Sequence, residues 1–509
     1  MLSVCEMLER SAERFPDKVA FSDPSDVITF GELLDDSKKI ASSFLASGCM
    51  TGQERSVLFF MEKCVAALPV MFGGVYCNAF YCFVDVRQSD ERVRSIIERV
   101  APSVIVTDEA NRGRLERIAQ GLRYELVEEL TDPSHLEGLS VDEEALAFCH
   151  REFTDNLPLY VNFTSGSTGE PKGVVVSHAS VIDFIEVFTR TFGIESDDVI
   201  ANQAPFDFDV SVKDIYSGLY TGATVRLIPR EYFTNPTLLM DYLCDGDVTV
   251  LIWAVTAMCF VSIMNGFGYR TPDKLRLVMF SGEVMPVKQL RKWVQNAPNA
   301  TYVNLYGPTE ITCNCTYHVI DREYDVSEVI PIGVPFENEK VFLLDEGNAL
   351  VTEIDVEGEI CVSGECLALG YYKDKSKTDE VFVQNPLNES FYERIYRTGD
   401  LGKYDEDGLL YYTSRKDFQI KHMGQRIELT DIELSATAVD GVSRACCLYD
   451  HKKKKIVMFY TGDIEKEVLS ERMKEKLPEF MVPGKTVRLD EFPINKNGKI
   501  DRKALECEL

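Results

Sequence analysis

The stretch TSGSTGEPKG, residues 164–173, packs four hydroxyls, three glycines and one lysine into ten positions. Small residues let backbone N–H groups approach an anion closely. Hydroxyls add further donors, and Lys172 adds a point charge; together these make a phosphate cradle. The spacing is not G-x-x-x-x-G-K-[ST], because Pro171 stands where the second glycine of that pattern would be. Taken alone, the stretch reads equally well as a flexible polar loop. What decides between the two is where the stretch sits among the elements around it.

Those elements alternate. LYVNFTSG, VTVLIWAV, LRLVMFSGE and ATYVNLYG are apolar runs that end in small or turn residues. Between the last two, Val287, Leu290 and Val294 recur at helical spacing, and Val93, Ile96, Ile97 and Val100 do the same ahead of the strand-like SVIVTD. Strands alternating with helices predict parallel sheets covered on both faces, which bind ligands beyond the carboxyl ends of their strands. SGSTG, SGE and YGPTE all fall at such ends. From about residue 340 the pattern changes to β-ribbons with Gly and Asp-Glu turns, and a short mixed segment follows RKDFQIK. Lys452–Lys455 lies between two apolar segments and is expected at a solvated hairpin tip.

Composition narrows the function. At 509 residues, two or three domains are expected. A formal charge of −29 argues against non-specific nucleic-acid binding and against anionic membranes, but not against small anionic ligands held in a local cationic pocket. The fifteen cysteines include no C-x-x-C and the six histidines form no ligand cluster, so the thiols read as buried small hydrophobes in a reducing cytoplasm. The amino-terminal segment is charged from Glu6 onward and does not read as a signal peptide. Cys64–Val84 is free of charge over 21 residues, but Pro69, Gly73, Gly74 and Asn78 interrupt it. It is expected to be a buried helix followed by a buried strand, with no membrane insertion.

Seven stretches stand in order along the chain: NFTSGSTGEPKG, FDFDVSVKDIY, NLYGPTE, GEICVSGECLALGYY, YRTGDL, SRKDFQIKHMGQRIEL and NKNGKIDRKAL. In this order they resemble the adenylate-forming superfamily, and more closely the amino-acid adenylation domains of nonribosomal peptide synthetases. As a free-standing chain with SGEVMP, YGPTE and DFQIK, the sequence is most similar to D-alanine–carrier protein ligases. The resemblance implies an α/β fold. Residues 1–416 would form a large domain of two doubly wound α/β subdomains plus a β-ribbon subdomain. Residues 417–509 would form a small, mobile α+β domain.

The resemblance also assigns roles. Thr164, Ser165, Gly166, Ser167, Thr168, Gly169 and Lys172 would hold the phosphates of ATP, Glu310 would place Mg²⁺, and Thr309 would contact the α-phosphate. Tyr306 would stack on adenine, and Asp400 would accept from the ribose hydroxyls with Arg415 beside it. Without the resemblance, Tyr306 also reads as core packing, Asp400 as the brace of a Gly-Asp turn and Glu310 as a helix-capping acid. Lys499, otherwise ordinary surface, would enter the site and bridge substrate carboxylate and ATP; Asp417 would be the hinge and Gly424 would line the tunnel for a phosphopantetheine thiol.

Asp209 matches the aspartate that pairs with the α-ammonium of amino-acid substrates, although a solvent-facing aspartate is the plainer reading. Val210, Lys213, Ile252, Met279, Ser281, Leu305, Cys313 and Asn314 would line the pocket around it, and most of them suit an apolar or small side chain. Lys213 is discordant. Its amine either pairs with an acidic substrate or snorkels out of the pocket, and the second is favoured here. Ser414, LTDIE and FVDV depart from the family pattern away from the reacting atoms. No carrier domain follows Ile500, so a separate phosphopantetheinylated carrier protein is the expected partner of a monomeric ligase. The expected activity is AMP-forming amino acid–carrier ligation with ATP and Mg²⁺. The alternatives are a CoA ligase of the same fold and a silent binding protein on this scaffold.

Overall fold

A computed structural model of the chain describes residues 1–52, 54–164, 171–416, 419–494, 500, 502–506 and 509. It divides into two compact units: Met1–Asp85, Ala101–Asn162 and Val174–Ser414 form the first, and Val86–Val100, Phe163–Gly173 and Arg415–Leu509 form the second.

The first unit is built on three sheets. In the nine-stranded sheet, Thr301–Tyr306, Leu277–Ser281, Val250–Ala254, Val199–Asn202, Thr224–Leu227 and Val19–Ser22 run parallel in that spatial order, with antiparallel strands at both edges. These are the apolar runs seen in the sequence. Every residue of Val250–Ala254 and Leu277–Ser281 is buried. Their side chains feed two cores by strand alternation: Ile252, Met279, Val303 and Leu305 enter one, and Trp253, Val278 and Phe280 the other. The helix Val287–Asn296 buries Val287, Leu290 and Trp293 in the second core.

A seven-stranded sheet repeats the parallel pattern, with Ser56–Phe60 between Phe80–Phe83 and Val104–Thr107. Its outermost strand, Gly370–Tyr371, pairs antiparallel with Val174 and Val175. The uncharged segment Cys64–Val84 becomes the buried helix Ala67–Tyr76 and the buried strand Phe80–Phe83. Among the described residues no helix is long and apolar enough to cross a membrane. The third sheet is antiparallel, with Lys340–Leu344, Gly358–Ser363 and Arg394–Tyr404 at its centre. The two parallel α/β sheets and the ribbon sheet are the fold class expected from the sequence.

The second unit holds a three-stranded sheet of Val442–Asp450, Lys455–Gly462 and Lys485–Arg488, with helices Leu429–Thr437 and Lys466–Lys476. Lys452–Lys454 are exposed at the turn between its first two strands, as the charge run predicts. Gln419–His422 and Gln425–Glu428 form a hairpin whose turn residues, Met423 and Gly424, both have positive φ. None of the fourteen described cysteines forms a disulfide, and most are buried.

Candidate active site

In the first unit the turns at the carboxyl ends of the parallel strands bring the candidate residues together. Tyr306 ends its strand, and the next residue, Gly307, packs where a Cβ would lie 2.5 Å from the Asn314 Cα and 2.7 Å from the Cys313 carbonyl oxygen. That close approach folds the YGPTEITCN turn back on itself. Thr309 and Glu310 begin a single 3₁₀ turn, and Thr312 and Cys313 follow with φ of 53° and 78°. Side chains rarely adopt that backbone, so the turn is strained. The Thr312 hydroxyl fastens it by donating to the Cys366 carbonyl at 2.7 Å, as does the Cys315 N–H, which donates to the Tyr306 carbonyl at 2.8 Å.

Three of the expected nucleotide residues meet here. The Tyr306 hydroxyl donates to Asp400 Oδ2 at 2.6 Å. Asp400 is buried in the strand Arg394–Tyr404, where its N–H bonds the Thr398 hydroxyl. Glu310 is 0% exposed, and the Tyr371 hydroxyl donates to its Oε1 at 2.8 Å. Magnesium takes one or two protein carboxylates and fills its remaining positions with phosphate oxygens and water. A fixed, buried carboxylate at a strand end fits that role. Among the described residues no group of three or more metal-binding side chains occurs.

Asp209 precedes the helix Val210–Thr221, is 7% exposed and does not cap the helix with its side chain. Its backbone carbonyl accepts from the Cys313 thiol at 3.1 Å. Burial, reinforced by Asp209, pushes that thiol well above its ordinary range. Ile252 and Met279 are register partners on adjacent strands, with Ser281 two residues further along. Leu305, Cys313, Asn314 and Val210 are likewise buried.

Lys213 corrects the sequence reading. Its side chain does not snorkel: the residue is 0% exposed and its amine donates to Asn314 Oδ1 at 2.5 Å. The helix is buried on every side from Val210 through Leu219, so the amine has no route to water. Burial pushes the amine down, opposed by Cys313, Asp209 and Asp214. It pushes the Asp214 carboxyl up. Asp214 Oδ2 accepts from Asn202 Nδ2 at 2.6 Å, and Asn202 Oδ1 accepts from the Lys63 amine at 2.7 Å.

In the second unit, Thr164 ends the strand Pro158–Thr164, and its Oγ1 is buried without a hydrogen-bond partner among the described residues. Lys172 is buried, and its amine lies 3.6 Å from Glu428 Oε1. The same oxygen accepts from Gln419 Nε2, while Gln419 Oε1 accepts from Arg426 Nε at 2.6 Å. Arg415 ends the strand Leu410–Arg415. Gly424 occupies a turn position whose positive φ by itself favours glycine. Ser165, Gly166, Ser167, Thr168, Gly169, Asp417 and Lys499 lie outside the described residues.

The AMP-binding family, described as AMP-binding enzyme, matches residues 8–372. The chain belongs to this family. It is 28% identical to the D-alanine–D-alanyl carrier protein ligase of Staphylococcus aureus strain Newman, over 99% of both chains. It is 30% identical to surfactin synthase subunit 1 of Bacillus subtilis strain 168 over 99% of its own length, but spans only 14% of that protein. An adenylation domain of Vibrio cholerae, solved in complex with glycyl-adenosine-5′-phosphate, superposes with a TM-score of 0.83 at 21% identity, covering 99% of this chain and 97% of that one. At that identity the likeness shows the fold.

Sequence reasoning missed four residues of this AMP-binding chain. Tyr371 stands in the GECLALGYY stretch, and its spacing from Glu310 carries no signal. Glu428 lies in QRIEL, and nothing in that motif announces its pairing with Lys172. Asp214 and Lys63 each follow another charged residue, Lys213 and Glu62, in segments whose neighbours are largely apolar, which is the one signal that could have found them.

Proposed function

We propose that this protein is an AMP-forming amino acid–carrier protein ligase. It would activate an amino acid as its aminoacyl-adenylate and pass the acyl group to the phosphopantetheine thiol of a separate carrier protein. The observation that carries the reading is Asp209: a buried carboxylate at the start of a helix, not used to cap it, beside the turn that holds Tyr306 and Glu310. A buried carboxylate in that setting suits an ammonium.

In the first half-reaction a substrate carboxylate oxygen attacks the α-phosphorus of ATP and the bond to pyrophosphate breaks. Asp209 orients the ammonium, Tyr306 supports adenine, and Asp400 takes the ribose hydroxyls. Thr309 contacts the α-phosphate, while Lys172 and the hydroxyls of 164–168 hold the departing phosphates. Such positioning and charge stabilisation supply most of the catalysis in phosphoryl and nucleotidyl transfer. Glu310 would hold Mg²⁺, which when bound would supply Lewis-acid neutralisation of phosphate charge. Lys499 would neutralise the charge gathering between carboxylate and phosphate. In the second half the thiol adds to the acyl carbonyl, AMP leaves, and the thiol proton passes to solvent. This reading keeps residues 1–416 as the domain of nucleotide and substrate, and 417–509 as the domain that brings Lys499 and then withdraws it about Asp417. It also keeps Arg415 at the ribose, Gly424 on the thiol path, a monomer and a cytoplasmic setting.

Amino-acid-dependent exchange of pyrophosphate into ATP across a panel of acids, followed by loading of a phosphopantetheinylated carrier, tests it. Exchange with amino acids and carrier loading are expected. Exchange with aryl or fatty acids and transfer to free CoA would replace it with the CoA-ligase reading.

A further inference from the structure

Lys63 belongs to none of the seven motif stretches. It lies in the segment after the strand Ser56–Phe60, and its amine is spent on a single turn. It donates to the backbone carbonyls of Asn202 at 3.0 Å, Gln203 at 2.9 Å and Ala204 at 3.1 Å, and to Asn202 Oδ1 at 2.7 Å. The N–H donors of one ammonium are thus shared among these oxygens. Successive carbonyls aimed at one centre repel one another unless a cation stands there. The amine therefore holds the backbone curled as it leaves the strand Val199–Asn202. Burial pushes the amine down, opposed by Asp214 and Glu62.

Hydrogen bonds pass the curl on to Asp209. Pro205 follows Ala204, and its carbonyl accepts from the Phe208 N–H at 3.1 Å. The Phe208 carbonyl accepts in turn from the Ser211 N–H at 3.0 Å and the Ser211 hydroxyl at 2.7 Å. Asp209 sits between Phe208 and Ser211, so it moves with them. A second grip runs through the Asn202 side chain. With its Oδ1 on Lys63, its Nδ2 is aimed at Asp214 Oδ2, 2.6 Å away. Asp214 lies just over one turn beyond Asp209 on the helix Val210–Thr221. Lys63 thus holds the helix both ahead of its start and one turn inside it, which fixes its rotation as well as its position.

We propose that Lys63 is a positioning residue of the amino-acid site, which sets the direction of the Asp209 carboxylate through the turn of residues 202–208 and through Asn202 and Asp214. This rests on the amino-acid-activating reading above. The turn has other supports. The Ala254 N–H donates to Gln203 Oε1 at 3.4 Å, and Phe206 packs edge-on against Phe83 with ring centroids 5.3 Å apart. Loss of the amine should therefore shift the turn rather than unfold it, and a shift on the order of 1 Å is enough to spoil an oriented contact.

The test is pyrophosphate exchange with the best amino-acid substrate of the wild type, with thermal melting of every variant. Lys63→Met keeps the stem and removes the donors. It should raise the KM for the amino acid about tenfold and change that for ATP by less than about twofold. Asn202→Asp keeps an acceptor for Lys63 but loses the donor to Asp214, and should raise the amino-acid KM in the same direction. Added to Asp209→Asn, Lys63→Met should have little further effect on that KM, because the carboxylate it directs has lost its charge. A lysine that only supports the fold would lower the melting temperature and kcat, leave the ratio of the two KM values unchanged and act additively with Asp209→Asn. Any of those last two results in a folded variant overturns the proposal and leaves amino-acid activation standing. Should Lys63→Met fail to fold, an unchanged amino-acid KM in Asn202→Asp overturns it equally. If no amino acid supports exchange in the wild type, the activating reading falls and takes this proposal with it.

Discussion

Glu428→Gln tests what Lys172 does. The Lys172 amine lies 3.6 Å from Glu428 Oε1, with side chains 10% and 6% exposed. At that distance the Coulomb attraction is about 4.6 kcal/mol for an effective dielectric of about 20. Desolvation of both ions cancels most of it and leaves a net on the order of 1 kcal/mol. If Lys172 must exchange Glu428 for phosphate oxygens when ATP binds, that net value is subtracted from ATP affinity. Glutamine keeps the shape and still accepts from Gln419 Nε2, so the hairpin has no reason to rearrange. Removing the charge should tighten ATP about fivefold, the equivalent of about 1 kcal/mol. Calorimetric titration with MgATP in the absence of amino acid reads this directly. Lys172→Ala should weaken ATP, and Glu428→Gln added to it should have no further effect, because the interaction it relieves is already gone. An ATP affinity that is unchanged or weaker in a Glu428→Gln variant of normal melting temperature refutes the reasoning.

Lys499→Ala should cut adenylate formation by about a hundredfold or more, roughly 3 kcal/mol of transition-state stabilisation, and thioester formation from pre-made adenylate should fall far less; equal losses in the two half-reactions would contradict the assigned role. Asp209→Asn should raise the KM for the amino acid much more than that for ATP, since a buried charge then loses its partner, and steady-state exchange kinetics separate the two. His178 is buried, its Nδ1 accepts from the Val4 N–H, and burial lowers its pKa to about 3. The unfolded chain therefore binds the extra proton below about pH 6.5, stability falls as pH falls, and the wild type should lose about 1.3 kcal/mol more than His178→Gln between pH 7 and 5.5, measured by urea unfolding at the two pH values.

The parallel sheets were legible because their strands are buried on both faces, so each appears as a short apolar run ending in turn residues. VTVLIWAV and LRLVMFSGE are such runs, and they become adjacent strands in register from Val250 and Leu277 onward. The candidate nucleotide turn was legible for the same reason, since YGPTE ends the neighbouring strand. The pairing of Tyr371 with Glu310 was not. It exists only because Gly370–Tyr371 adds to the edge of the seven-stranded sheet, and edge pairing of a two-residue strand leaves no periodicity to read. The strain at Thr312 and Cys313 was hidden as well. Left-handed backbone is usually announced by glycine or asparagine, and here the side chains are held there by hydrogen bonds to Cys366 and Asp209 instead.

Lys213 shows why residue type alone misleads at a pocket. VSVKDIYSGLY alternates polar and apolar residues enough to suggest a helix with one wet face, and on such a face a lysine amine reaches water along its stem. Yet the helix is enclosed all round, and its polar members Ser211, Lys213, Asp214 and Ser217 are as buried as its apolar ones. Enclosure converts each of them from a solvated group into a demand for a partner. Asn202, itself held by Lys63 from the segment after Ser56–Phe60, donates to Asp214 Oδ2, while Asp214 Oδ1 is buried without a hydrogen-bond partner among the described residues. For Lys213 the hydrogen-bond acceptor among the described residues is the neutral Asn314 Oδ1, with Asp209 and Asp214 as charged neighbours.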